Sequence, residues 1–111
     1  NMANTFKNSI KGPAGTSGLS VYSCPAATSA TVIGVNVANI VAQNIEIDVE
    51  ITDNSAGVTK YLVKGATLPQ GSSTILVGGD QKVVLEANDS ITVTSSINSS
   101  ADVVVSVLEI T

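Results

Sequence analysis

Ile45-Glu46-Ile47-Asp48-Val49-Glu50-Ile51-Thr52 decides the fold of this chain. Every odd position holds Ile or Val, and every even one an acid or a hydroxyl. Successive side chains of a strand point to opposite faces, so a strict period of two gathers the apolar residues on one side and the polar ones on the other. On a helical repeat the same residues would spread around the whole cylinder and leave no apolar stripe. The run ends at Asp53-Asn54-Ser55-Ala56-Gly57, a cluster of residue types that bond their own backbone or tolerate a positive φ.

Working outward, the same alternation recurs on both sides. Upstream lie Thr5 to Lys11, Leu19 to Cys24 and Ala30 to Asn39. Downstream lie Val58 to Lys64, Ser73 to Val77, Lys82 to Glu86, Ser90 to Ser95 and Asp102 to Ile110. The separators are turn-forming: Gly12-Pro13-Ala14-Gly15, Pro25, a Gly65 to Gly71 loop with Pro69, Gly78-Gly79-Asp80, Ala87-Asn88-Asp89 and Ser96 to Ser100. In the third run, period two sets Ile33, Val35 and Val37 against Val32, Gly34, Asn36 and Ala38. The pattern predicts about nine short strands in an all-β, single antiparallel β-sandwich, jelly-roll or immunoglobulin-like, spanning 1–111 as one domain.

Composition agrees. Hydrophobic residues make up 43% of the chain, yet Phe6, Tyr22 and Tyr61 are its only aromatics, so the core must be Val, Ile, Leu and Ala. Charged residues are 13%, about half the usual share, which leaves Ser, Thr, Asn and Gln to cover the surface. A surface with little charge is cheap to desolvate against other protein and prone to associate. Net charge is −4, Arg is absent, and Lys7, Lys11, Lys60, Lys64 and Lys82 are scattered. That distribution argues against nucleic acid, which needs a concentrated basic patch. No run reaches the roughly 18 apolar residues of a membrane helix. The start Met2-Ala3-Asn4-Thr5-Phe6-Lys7 lacks a secretory apolar region, and the single Cys24 has no internal disulfide partner, so synthesis in a reducing cytoplasm is expected.

Catalytic chemistry finds little to use. With no histidine, the usual general base, the usual metal ligand and any Ser-His-Asp triad are excluded. Cys24 precedes Pro25 at a strand end and reads as a packing thiol. Gly78-Gly79 lacks the following helix and Gly-Lys-Ser/Thr of a phosphate loop. Glu46, Asp48 and Glu50 project from one face about 7 Å apart, which reads as a solvated face, since calcium needs about 6–8 converging oxygens. Asp53, Asp80 and Asp89 fall in turns, where Asp bonds the local backbone. Tyr22 and Tyr61 would stack on a sugar only if coplanar and exposed. No enzyme, no cofactor and no metal are expected.

Val103-Val104-Val105-Ser106-Val107-Leu108-Glu109-Ile110 is apolar on both parities with little charge. Such a strand is either central and packed on both sides, or has a face that a neighbouring subunit protects. On the second reading the interface uses Val103, Val105, Val107, Leu108 and Ile110 of the last strand with Phe6 and Ile10 of the first.

The chain resembles small virion structural proteins of tailed bacteriophages, especially those of marine cyanobacterial phages. The likeness is carried by Met2-Ala3-Asn4-Thr5-Phe6-Lys7-Asn8, Ile47-Asp48-Val49-Glu50-Ile51-Thr52-Asp53, Tyr61-Leu62-Val63-Lys64-Gly65, the stretch from Gly78 to Ser96, and the ending Val107-Leu108-Glu109-Ile110. Similar proteins often have Gly where this chain has Asn88, a mild departure because Asn also accepts a left-handed turn. The resemblance implies a β-sandwich made in the host cytoplasm and built into the virion in many copies, without fixing its place there; a capsid decoration protein on the major capsid protein is the expectation. A homo-oligomer is expected, a trimer if it sits on capsid three-fold positions. A neck, tail or fibre-associated protein is the nearest alternative. A carbohydrate-binding host-adhesion module would need more exposed aromatics than three, and a strand-exchanging adhesin would be secreted.

Overall fold

The computed structural model describes residues 3–111, with the side chains of residues 79–81 outside that description. The alternating runs form β1 (Asn4–Ala14), β2 (Leu19–Ser23), β3 (Ser29–Asn39), β4 (Ile45–Asp53), β5 (Val58–Leu68), β6 (Ser73–Leu85), β7 (Ser90–Ser95) and β8 (Ala101–Ile110). They pair into two four-stranded sheets, β1-β8-β3-β6 and β2-β7-β4-β5, and every ladder is antiparallel. The all-β sandwich expected from period two is therefore present, and the described residues contain no helix. All nine runs are found, two of them as halves of β6. Both Ser73–Val77 and Val83–Leu85 pair with β3, and between them Gly78 faces Gly34 while Val83 faces Val32. The expected turn at Gly78 is thus a bulge within one strand.

The facing rows make the core. Ile45, Ile47 and Val49 of β4 are fully buried, with Ile91 and Val93 of β7 and Val21 of β2 on the same sheet. Against them stand Val103, Val105 and Val107 of β8, Val32, Val35 and Val37 of β3, and Leu85 of β6. Each such side chain contributes roughly 1.5–3 kcal/mol on leaving water. Val and Ile also lose little rotamer freedom on burial, so most of that gain is kept.

Bulges reset the parity in three places that uniform alternation misplaces. In β3 the register with β8 steps from Val32↔Val107 to Gly34↔Ser106, so Val32 and Val35 both face inward and Ile33 is pushed out. The expected grouping of Ile33 with Val35 and Val37 is corrected by that extra residue. In β5, Ile47↔Ala66 is followed by Val49↔Val63, and Gly65 takes φ +69° at the bulge. The strand consequently continues to a buried Leu68 where a loop from Gly65 was expected. In β6, the step from Val35↔Val77 to Asn36↔Ile75 leaves Ile75 on the outer face.

Two carboxylates sit inside, Asp89 at the turn before β7 and Glu109 in β8. Glu109, on the inward row of β8, is buried; it accepts the Tyr22 hydroxyl at 2.5 Å through Oε2 and pairs with Lys7 Nζ at 3.0 Å through Oε1. The three side chains come from β8, β2 and β1, so the cluster ties one sheet to the other. The Tyr22 hydrogen bond holds the Glu109 carboxyl below its ordinary 4.5, with Lys7 acting in the same sense and burial opposing. Burial first, then Glu109, pushes the Tyr22 phenol far above its ordinary 10.0. The buried Cys24 thiol is also pushed up, by desolvation and then by the Glu109 and Asp89 charges, which suits a neutral packing group.

Because Glu109 has a lower pKa folded than unfolded, it adds stability above the ordinary value of 4.5 and withdraws it as pH falls below. Tyr22→Phe removes a hydrogen bond to a charged acceptor and should cost about 1.5–3 kcal/mol at pH 7. It should also flatten the loss of stability toward acid. Urea midpoints for both proteins between pH 7 and pH 3 test this, and parallel pH curves would refute the role given to Glu109.

Candidate interaction face

The two outer faces of the sandwich differ in kind. On the β1-β8-β3-β6 sheet, direct pairing lines residues up in rows across all four strands. One row is Phe6, Leu108, Thr31 and Val84; the next is Asn8, Ser106, Gly34 and Gly78; the third is Ile10, Val104, Asn36 and Ile75. Phe6 is 76% exposed, Ile10 68%, Ile75 68% and Val84 63%, so the apolar ends of these rows lie open. Among the ladder-paired residues of this face Asp102 alone is charged. Ile33 rises from the bulge of β3 between two hollows of about 340 and 240 Å³, both of which also reach Ser106.

The expected interface residues divide between core and surface. Phe6, Ile10, Leu108 and Ile110 share the outward parity of this face. Val103, Val105 and Val107 do not. They are buried in the chain's own core, so as contact residues they are corrected: period two on β8 sends the odd positions inward. Val104, Ile33, Ile75 and Val84 belong to the face and were not anticipated. Val104 could have been found, since it lies in the quoted run on the opposite parity. Ile75 and Val84 needed the pairing of β6 with β3, which periodicity does not carry.

Gly78 lies in the small-residue row with φ +144°, and a Cβ there would meet the Ile33 carbonyl oxygen at 2.9 Å and Ile75 Cγ2 at 3.2 Å. Any larger side chain must push two strands apart in the middle of the face.

The outer face of the other sheet is polar. Glu46, Asp48, Glu50 and Thr52 stand on it beside Thr92 and Thr94 of β7 and Thr59 and Thr67 of β5. This matches the solvated reading of the acidic row. Asp48 Oδ1 accepts the Gly65 N–H at 2.7 Å, and its other oxygen lies 3.5 Å from Lys64 Nζ. That ammonium stands 4.7 Å from the Tyr61 ring centre, and contact with Tyr61, then Asp48, raises its pKa. Tyr22 and Tyr61 sit on opposite faces of this sheet, Tyr22 opposite the buried Ile91 and Tyr61 opposite Glu50, so they form no common stacking surface.

At one end of the sandwich the structure brings Asp53 and Asp89 together with Glu86, their nearest carboxylate oxygens all within 4.8 Å. The Asp80 side chain, the third expected turn acid, lies outside the described residues. Asp89 Oδ1 accepts the Asn54 N–H and Oδ2 the Glu86 N–H; Asp53 Oδ1 accepts from the Ala56 N–H and the Ser55 hydroxyl. Those bonds hold the Asp53 carboxyl below its usual range. Two of the three acids, Asp53 and Asp89, are therefore already used as turn-making acceptors.

Gly78→Ala should lower stability by about 1–3 kcal/mol, because it combines a strained φ with a backbone clash. A denaturation midpoint equal to wild type would mean that the β3–β6 contact is looser than described. Comparisons of the chain with protein families, with curated proteins and with solved structures gave no match.

Proposed function

We propose that this chain is a non-enzymatic structural protein of a virion, a capsid decoration subunit that docks in many copies on the particle and associates with itself. The observation that carries the reading is the open, nearly uncharged face with Phe6, Ile10, Val104, Ile75 and Val84. Exposed apolar side chains gathered on one face mark protein contacts, here with Thr31, Asn36 and the row Asn8, Ser106, Gly34 and Gly78 set between them. The contrast with the acidic face gives the subunit a direction: one face suits burial against protein and the other suits solvent. The family resemblance of the sequence supplies the particle, and the major capsid protein as the partner. A carbohydrate-binding role draws less support, since Tyr22 and Tyr61 stand on opposite sides of one sheet.

The test is co-sedimentation of the purified chain with empty shells assembled from the major capsid protein of the same virion. Saturable binding at a fixed number of copies per shell is expected. Absence of the chain from the shell pellet at saturating concentration would refute the decoration reading.

A further inference from the structure

We infer that a second copy of this chain covers the apolar face, in a two-fold pair whose axis runs across the strands along the row Asn8, Ser106, Gly34 and Gly78. The inference rests on the reading of the chain as an assembling subunit and names what that face meets first.

The face is close to symmetric about that row: on every strand the paired positions on its two sides match in kind, with Ile33 of β3 and residues 79–82 of β6 as additions between the rows. β1 has Phe6 on one side and Ile10 on the other; β8 has Leu108 and Val104; β3 has Thr31 and Asn36; β6 has Val84 and Ile75. A two-fold interface must place residue i on residue j and j on i. Rotation about this row lays Phe6 on Ile10, Leu108 on Val104, Val84 on Ile75, and Thr31 on Asn36 of the other copy. Apolar meets apolar, and the hydroxyl meets an amide that can bond it. An axis along the strands would instead lay Leu108 on Thr31 and Val104 on Asn36, burying polar groups against hydrocarbon, a cost of about 1–3 kcal/mol per unpaired group. The same symmetry favours two-fold over the three-fold arrangement expected from the resemblance.

Size and charge agree. Ser106, Gly34 and Gly78 keep the central row low, and the same rotation carries Ile33, which rises beside it, over the hollow of about 240 Å³ that Gly34, Asn36, Ile75 and Val104 line in the other copy, so the two sheets can approach to the usual separation of about 10 Å. Asp102 lies one row beyond Ile10 and Val104, at the rim. Glu46, Asp48 and Glu50 point away on the far sheet, so pairing brings no acidic row against another. Four strands spaced about 4.8 Å apart, over about eight residues of length, give about 500–600 Å² per copy. The total of roughly 1,000–1,200 Å² is at the lower end of specific interfaces, so the pair should dissociate on dilution.

Sedimentation equilibrium on the isolated chain, from micromolar to millimolar, reads this directly. Wild type is expected to move from one chain mass to two. Ile10→Lys alone and Phe6→Glu alone should each remain monomeric over the same range. An equimolar mixture of the two should pair again, because the axis sets position 6 of one copy on position 10 of the other. The doubly substituted chain should pair as well; its two new charges, four residues apart on one strand, are about 13 Å from each other within a copy. Both positions are exposed, and unchanged melting midpoints would establish that the variants fold. A wild-type monomer at the highest concentration, a trimer, or single variants that still pair would overturn the inference. So would folded single variants whose mixture stays monomeric. A monomer that nevertheless binds shells would sink the pair while leaving the decoration reading intact, and a pair that ignores shells would do the reverse.

Discussion

The inward row Val103, Val105 and Val107 of β8 is the constraint from which the rest of the structure follows. β8 lies between β1 and β3 and is paired on both edges, so its register governs half of the sandwich. Once the odd positions enter the core, period two leaves no choice for the even ones. Val104, Leu108 and Ile110 must face out, and cross-strand pairing carries Phe6, Ile10, Ile75 and Val84 to the same side. A one-residue slip would exchange the two rows but not abolish the difficulty, because both parities of this strand are apolar. A strand of this composition always shows apolar side chains to something besides its own core. The exposed face is thus a consequence of the sequence of β8, and on the function proposed above assembly is the physical answer to it.

Charge placement makes that answer workable. The acids of β4 sit on the outer side of the opposite sheet, where water solvates them and the Lys64–Asp48 contact offsets part of the repulsion. Exposed pairs of this kind add little stability, but they keep one side of the molecule hydrophilic. The buried carboxylate of the β1-β8-β3-β6 sheet, Glu109, lies on its core side and is satisfied from within by Tyr22 and Lys7. Its charge therefore does not reach the apolar face. Had Glu109 been on the even parity of β8, it would stand among Leu108, Phe6 and Ile110 and would penalise any apolar partner.

Much of the fold was legible because period two is a local property. The run Ile45 to Thr52 announced its buried and solvated sides correctly, and the acidic row proved to be the solvated one. The turns at Asp53 and Asp89 were legible for a similar reason, since Asp at a strand end bonds nearby backbone N–H groups. What escaped was every feature that depends on extra residues in one strand of a pair. Gly65 and Gly78 look like chain breakers, yet each sits in a bulge inside a strand that goes on pairing. Ile33 has the parity of Val35 and Val37 in the sequence and the opposite parity in the fold, because the partner strand β8 sets the step.

The exposed apolar face was half legible for a reason that separates local from long-range information. Phe6, Ile10, Leu108 and Ile110 could be named from the runs that contain them. The inward turn of Val103, Val105 and Val107 could not, because either parity of β8 suits a core. The tie is broken by the other strands. Glu109 shares the odd parity, and only there do Tyr22 from β2 and Lys7 from β1 reach it to compensate its burial. A buried hydrogen-bonded carboxylate is costly when misplaced and neutral or better when satisfied. One buried carboxylate in a strand apolar on both parities thus selects the register, and with it the apolar face that the molecule leaves exposed.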